Sequence, residues 1–211
     1  MFVEEILKTP PEAAPGTRHI YSNAGYTITG AVAEQATGKS WENLMKREIF
    51  GPLGMRSADF GPPGQEQPWG HTDPEKGGRP IAPGPGADNP AAIGPAGTIH
   101  CSLVDWGRFV AAHLVPAAGK KKFLKESSIE TLHTPIGKDE YALGWSTPMR
   151  SWGKGRVLTH AGSNTMWYAV VWASPKRRIA VLITTNQGGQ VKACDDAVGV
   201  LMKYFEERKK Q

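Results

Sequence analysis

Long apolar runs, paired cysteines and metal-ligand motifs are scarce in this sequence of 211 residues. No stretch approaches the roughly 18 consecutive apolar residues that a membrane span requires, so no span is predicted. The opening residues, which include Glu4 and Glu5, lack the basic and apolar regions of a signal peptide, and the sequence does not indicate a localisation. Cys101 and Cys194 are far apart in the sequence, and we expect two free thiols. The histidines share no ligand spacing, so we predict neither a metal nor a cofactor.

The net charge is also small, at a formal +5. Hydrophobic residues make up 39% of the sequence and charged residues 21%. The excess basic residues lie mainly in two short clusters, residues 120–125 and 208–210. No aromatic residues alternate with these lysines and arginines, as a surface that stacks nucleic-acid bases would need. We therefore interpret the clusters as solvated loop and tail charges and predict no nucleic-acid partner.

Segments with apolar residues at helical or strand spacing lie on both sides of one long segment that has neither pattern. Apolar residues at helical spacing predict helices over about 24–37, after Ser40 and after Ser102, and over about 191–205. We expect Gly38 to end the first helix and Gly51-Pro52 to end the second. Two runs rich in β-branched and aromatic residues, 166–173 and 179–185, predict an antiparallel hairpin.

Glycine and proline dominate residues 61–97, where nine of each occur in 37 positions. Such a stretch cannot form a long regular element. Loops longer than about 15 residues usually cover functional sites or are disordered. We expect this segment, which includes Trp69, to be a loop that could cover a cleft.

Tyr21-Ser22-Asn23 is the first candidate catalytic motif. A tyrosine and an asparagine two residues apart, just before a helix, can direct both side chains into one cleft. A phenol with a pKa lowered from about 10 by neighbouring cations can act as a base, and the asparagine amide can orient a substrate amide. Taken alone, the tripeptide is more typical of a packed tyrosine at a helix start that Ser22 or Asn23 caps.

His160-Ala161-Gly162, followed by Ser163, is the second candidate motif. A polar residue and two small ones before a strand would let a substrate lie along the strand edge. The backbone N–H of Ser163 could then stabilise an oxyanion. A histidine before a glycine turn also has a purely structural interpretation.

Taken together and in this order, the motifs resemble those of serine β-lactamase-like hydrolases, which include class C β-lactamases and penicillin-binding-protein-like esterases. Residues 15–55, with Tyr-x-Asn at 21–23, resemble the family's second motif and the two helices after it. The segments YALGW (141–145), HAG (160–162) and TTNQGG (184–189) resemble the strands that flank its cleft. His160, where penicillin-binding members have lysine, places the chain nearer the esterase-like branch.

The resemblance implies an α+β fold of the β-lactamase/transpeptidase type. In that fold an antiparallel sheet is flanked by helices and lies beside a helical lobe. Residues 1–211 would be the C-terminal two-thirds of one such domain, with the first strands and the nucleophile helix missing. Residues from about 20 to 140 would form the helical lobe and the Gly/Pro-rich loop, and residues from about 141 to 211 the strands and the C-terminal helix. The strands would then have an open edge, which predicts a homo-oligomer or a domain swap.

The resemblance also assigns roles to the site residues. Tyr21 and His160 would be catalytic, and Asn23, Gly162 and Ser163 would bind a small ester, amide or β-lactam. The family's nucleophile lies in a Ser-x-x-Lys motif N-terminal to Tyr-x-Asn, and no serine precedes Tyr21 here.

One Ser-x-x-Lys match, residues 151–154, comes after Tyr21 and contains Gly153, a poor residue for a helix start. We interpret it as a loop. The expected function is therefore that of an esterase, D-peptidase or β-lactam-acylating fragment that is inactive alone. The alternatives are a non-catalytic binding or scaffold protein, or a split enzyme completed by another chain.

Overall fold

The computed structural model describes residues 2–114 and 123–208. The α-helices of this part are α1 (Phe2–Leu7), α2 (Asn23–Thr37), α3 (Trp41–Leu44), α4 (Gly51–Leu53), α5 (Gly94–Gly97), α6 (Leu103–Leu114), α7 (Glu126–His133) and α8 (Val191–Arg208). The strands are β1 (Asp59–Phe60), β2 (Gly70–His71), β3 (Pro80–Ile81), β4 (Ile99–His100), β5 (Met149–Arg150), β6 (Gly155–Arg156), β7 (Leu158–Ser163), β8 (Tyr168–Ser174) and β9 (Ile179–Thr185).

Local capping fixes both ends of α2. The Ser22 hydroxyl accepts a hydrogen bond from the Gly25 N–H at 3.0 Å, which satisfies one of the free donors of the first turn. At the other end, Gly38 has a φ of 65° and its N–H donates to the Glu34 carbonyl. Glycine adopts this left-handed conformation without strain, so the predicted end of the helix is confirmed.

The second helix is less regular than its apolar pattern predicts. After α3 the chain widens into a π-helix, Met45–Phe50, and then continues directly into α4. The prediction that Gly51-Pro52 ends the helix is wrong, because the turn after the π-helix ends at Gly54, with a φ of 66°. Pro52, which has no N–H to donate, lies directly after the π-helix, where the chain leaves the regular α-helical hydrogen-bond pattern.

A three-stranded antiparallel sheet in the order β7-β8-β9 is the largest sheet of the described residues. The β8–β9 hairpin confirms the predicted pair of strands, with Ser174 opposite Ile179 at its turn. The sheet lies between two helices. Val110 and Leu114 of α6 pack on one face, and Cys194 and Val198 of α8 pack on the other.

The Gly/Pro-rich loop is docked on one end of this sheet. The β2 residue His71 donates its N–H to the Asn186 carbonyl at 2.8 Å and accepts from the Gly188 N–H at 3.0 Å. A Cβ added at Gly70 would lie 2.6 Å from the Trp167 ring, so the close approach of β2 to the sheet requires glycine. As predicted, the loop contains only two-residue strands and single helical turns.

Two further sequence predictions can be compared with the structure. Cys101 and Cys194 are free thiols, as expected. Cys194 is buried on the side of α8 that packs against the sheet. None of the described helices combines the length and the apolar character that crossing a bilayer requires.

Candidate active-site cleft

Tyr21 and Asn23 lie together at the N-terminus of α2. The Tyr21 hydroxyl donates to the Asn23 Oδ1 atom at 2.9 Å. Tyr21 is 76% exposed, whereas the neighbouring Ser22 caps the helix. The capping role that the motif suggested therefore belongs to Ser22, and the Tyr21 and Asn23 side chains remain available at the surface.

Tyr141 connects this helix end to β7. Its hydroxyl lies 3.3 Å from the Nε2 atom of His160, and its ring stacks on His19 with 3.7 Å between centroids. Burial, followed by a hydrogen bond to Tyr26, raises the pKa of Tyr141, and the charges of Tyr26 and Tyr21 contribute in the same direction. Tyr141, which belongs to neither sequence motif, thus links the start of α2 to β7.

His160 lies in the middle of β7, opposite Val171 of β8. It shares a face of the strand with the buried Leu158, two residues earlier. His160 therefore lies on the α6 side of the sheet and is more exposed to solvent than Leu158. Desolvation by its neighbours lowers the pKa of His160. The nearby charge of His19 also lowers it, and a hydrogen bond with the Ala161 backbone opposes both.

The outer edge of β7 is partly open. Thr159 exchanges both backbone hydrogen bonds with Ser146, at 2.9 and 3.0 Å. Backbone groups alternate in direction along a strand, so Ala161 and Ser163 direct their N–H and C=O groups to this same edge. The Ser163 side chain is tied into the next turn, because its hydroxyl donates to the Trp167 carbonyl at 2.7 Å and accepts from the Thr165 N–H.

Gly162 leaves open space on the face of β7 that it shares with His160. No atom lies within 4 Å of the position that a Cβ would occupy there. Beyond Ser163, Asn164 donates to the Asp88 carboxylate at 2.9 Å and so attaches the Gly/Pro-rich loop to the end of β7. Trp69 of that loop is 39% exposed, and its indole N–H donates to the Gln65 carbonyl.

The structure thus places Tyr21 and Asn23 together at the start of α2. It places His160 on β7 beside Tyr141, with Gly162 and Ser163 further along the same strand. Sequence reasoning missed Tyr141, His19 and Tyr26 as members of the cleft. The YALGW segment was recognised as flanking the cleft, but nothing in the sequence distinguished its tyrosine. His19 carried no signal, because its place depends on the hydrogen bond from its backbone N–H to Asp139, 120 residues away.

The Ser-x-x-Lys match at 151–154 lies elsewhere. These residues form the turn between β5 and β6, where Lys154 has a φ of 58°. The neighbouring Trp152 packs against Trp172 in the cluster under α8, on the opposite face of the sheet from His160. Since no helix places Lys154 one turn above Ser151, the geometry agrees with the interpretation of this segment as a loop. Among residues 2–114 and 123–208, no group of three or more His, Cys, Asp and Glu side chains is arranged to hold a metal ion.

Comparisons with known proteins agree with this architecture. The family model described as Beta-lactamase matches residues 1–201. The chain belongs to the β-lactamase family. A β-lactamase from Pseudomonas fluorescens is 22% identical over 207 residues, which cover 84% of this chain and 57% of that protein. The chain therefore spans little more than half the length of this curated relative.

Solved structures show the same fold. A class C β-lactamase superposes with a TM-score of 0.74 and 19% identity, covering 94% of this chain and 60% of that one. The octameric penicillin-binding protein homologue from Pyrococcus abyssi superposes with a TM-score of 0.71 and 22% identity, covering 90% of this chain and 44% of the other. The predicted α+β, β-lactamase/transpeptidase-like fold is confirmed.

Proposed function

We propose that the chain forms two walls of the acyl-transfer cleft of a serine hydrolase. One wall is Tyr21 with Asn23, and the other is the β7 edge from His160 through Gly162 to Ser163. The nucleophilic serine and its lysine would come from a segment outside these 211 residues, of the same polypeptide or of another chain. The observation that carries the proposal is the Tyr141 bridge, which joins the helix bearing the first motif to the strand bearing the second.

Each wall would contribute a distinct step. Asn23 presents an amide to the substrate, and Tyr21, already hydrogen bonded to it, would move a proton to or from the reacting group. The Ser163 N–H, which points to the open strand edge, would stabilise the developing oxyanion. Gly162 leaves room for an acyl group to lie along β7, because no atom fills the face of the strand beside it.

The substrate class follows from this arrangement. The ring nitrogens of His160 can donate or accept a hydrogen bond. Together with the Asn23 amide and the Ser163 N–H, they fit small esters and amides that are recognised at the carbonyl, and β-lactams belong to this group by their strained amide. This is the chemistry of an esterase, D-peptidase or β-lactam-acylating enzyme.

The chain alone should bind but not turn over. We expect no hydrolysis of nitrocefin or p-nitrophenyl acetate above background and no labelling by a fluorophosphonate probe. When an upstream segment with Ser-x-x-Lys is fused before residue 1, or supplied as a second chain, turnover should appear. Tyr21→Phe should then lower kcat by about 10² to 10⁴, the range for loss of a general acid–base group.

A matched control is Tyr204→Phe, because Tyr204 is an exposed tyrosine on α8 that contacts Phe205 and Arg208. It should leave the kcat of the completed enzyme unchanged. Stoichiometric fluorophosphonate labelling of the chain alone, above all at Ser151, would show that the nucleophile lies within these residues and would overturn the proposal.

We also propose that the sheet pairs with a second copy of the chain through β9. Because β8 uses alternate residues to bond β9, Ala180, Leu182 and Thr184 direct their backbone groups to the outer edge. Exposed apolar side chains of α8, among them Val200 and Tyr204, lie on the helix that covers this sheet. Open edges of this kind favour strand pairing.

A further inference from the structure

The turn between β7 and β8 is held by the side chains of the residues that begin it. The Ser163 hydroxyl accepts a hydrogen bond from the Thr165 N–H at 3.0 Å. The Asn164 Oδ1 atom accepts from the N–H groups of Met166 and Trp167, at 3.3 and 3.2 Å. Three consecutive backbone donors are thus satisfied by two neighbouring side chains. Because β7 ends at Ser163, the position of its last residue depends on this turn.

Thr165 has a backbone conformation that needs this support. Its φ is 74°, in the left-handed region that a β-branched residue rarely adopts. Its carbonyl oxygen lies so close to Gly188 that a Cβ added there would be 2.0 Å away. Strained conformations of this kind persist only where the surrounding structure holds them, and they cluster at functional sites. The turn is therefore a fixed part of the structure that ends the β7 edge.

Asn164 also joins this turn to the Gly/Pro-rich loop. Because a backbone N–H can only donate, the Asn164 Oδ1 atom must face Met166 and Trp167, which leaves Nδ2 for another partner. That partner is the Asp88 carboxylate, to which Nδ2 donates at 2.9 Å. A hydrogen bond to a carboxylate is stronger than one between neutral groups. Asp88 directly follows Ala87, which is buried, so the carboxylate comes from an anchored part of the loop.

We propose that Asn164 is a positioning residue, which fixes the Ser163 N–H at the open edge of β7 by tying the turn to Asp88. The use of this N–H as an oxyanion donor rests on the proposed function, but the ordering of Ser163 by the bridge does not. An oxyanion donor is effective when it already points to the place where the charge will develop. The Gly/Pro-rich loop would then affect the chemical step as well as the shape of the cleft.

The test exchanges the two side chains of the bridge and measures ¹⁵N relaxation of the Ser163 amide in the chain as it exists. In the wild type this amide should have an order parameter of about 0.85, the value of rigid backbone. Asn164→Asp places two carboxylates face to face, and the order parameter should fall below about 0.6. In Asn164→Asp/Asp88→Asn the donor and the acceptor change places, so the wild-type value should return.

Single changes at Asp88 separate the bridge from a general effect on folding. Asp88→Ala removes the acceptor and should lower the order parameter of Ser163, whereas Asp88→Asn can still present an amide oxygen to Asn164 and should not. Both variants keep Asn164, so they carry the test if Asn164→Asp does not fold. The matched control is Asn43→Asp, the same change of side chain at an exposed position of α3, which should leave the Ser163 amide unchanged.

A mobile Ser163 amide in the wild type, or no recovery of order in Asn164→Asp/Asp88→Asn, would overturn the assignment. In the polypeptide completed with Ser-x-x-Lys, Asn164→Asp should lower kcat by up to about 10² with little change in KM, because an oxyanion donor acts in the transition state. An unchanged kcat in an active completed enzyme would also overturn it. If the relaxation results hold and no completed form turns over substrate, the proposed function fails while the bridge stands.

Discussion

The Nδ1 atom of His113 lies 3.1 Å from the Nε2 atom of His133, so that α6 and α7 are joined by two histidines. The His113 ring also contacts Trp145 and Phe109 edge-on. His113 is 6% exposed. Burial and then the charge of His133 lower the pKa of His113 to about 4, and burial lowers the pKa of His133.

This pair predicts that the protein loses stability as the pH falls. A histidine with a folded-state pKa below its unfolded value of about 6.5 takes up protons more readily when unfolded. The free energy of unfolding should therefore be constant above about pH 7 and fall below pH 6.5. The loss from His113 should be on the order of 2 kcal/mol between pH 7.5 and pH 5. Urea unfolding at both pH values, followed by tryptophan fluorescence, measures it.

His113→Gln should flatten this pH dependence, although it lowers stability at pH 7.5. The exposed Val32 of α2, which has no titratable side chain, provides the control, and Val32→Gln should leave the slope intact. Equal stability of the wild type at pH 7.5 and pH 5 would contradict a neutral, buried histidine pair.

Two helical glycines should respond oppositely to alanine. A Cβ at Gly30 of α2 would lie 2.5 Å from the Pro95 Cγ atom, whereas a Cβ at Gly107 of α6 has no atom within 4 Å. Gly30→Ala should destabilise the protein by about 1 to 3 kcal/mol through overpacking. Gly107→Ala should stabilise it by up to about 1 kcal/mol through helix propensity. Thermal unfolding of the two variants measures these opposite changes in stability. Equal melting temperatures would refute the close contact between α2 and α5.

The hairpin turn is attached to the C-terminal helix through a buried cation. The Arg177 side chain is 4% exposed, pairs with Glu206 of α8 and donates to the Trp152 carbonyl at 2.6 Å. Glu206→Gln should cost about 1 to 2 kcal/mol, because it leaves Arg177 buried with its charge while Glu206 itself is 48% exposed. The exposed pair Lys192–Asp196 on the same helix is the control, and Asp196→Asn should change stability much less than Glu206→Gln does. Similar losses in chemical unfolding of both variants would argue against a special role for the buried arginine.

The open edge of β9 should govern self-association. Light scattering at micromolar concentration should show a dimer or a larger species. Thr184→Pro should weaken the association, because the Thr184 N–H points to the outer edge and its loss breaks no bond to β8. Thr184→Val keeps that N–H and should associate like the wild type. A clean monomer of the wild type would rule out pairing through β9.

The sequence was a good guide wherever a local rule fixes the structure. The helix predicted over 24–37 is observed as Asn23–Thr37 because Ser22 and Gly38 cap it, and the second hairpin strand matches 179–185. The π-helix at Met45–Phe50 was not predictable, since its apolar residues suit an ordinary helix equally well. The Tyr141–His160 contact escaped prediction for a different reason. It depends on how residues 16–19 pack against 137–141, which are joined by the hydrogen bond from His19 to Asp139.

In the Gly/Pro-rich loop, the residues that attach the loop to the sheet are different from those that can change during evolution. Its anchors are few: Asp88 on Asn164, His71 on residues 186–188, and Gly70 under Trp167. The segments between these anchors can change in length and sequence without disturbing the sheet, as surface loops commonly do. Because the anchors lie beside Ser163, such changes would reshape the mouth of the cleft. A new substrate preference could thus arise within the loop while the residues of the two walls stay the same.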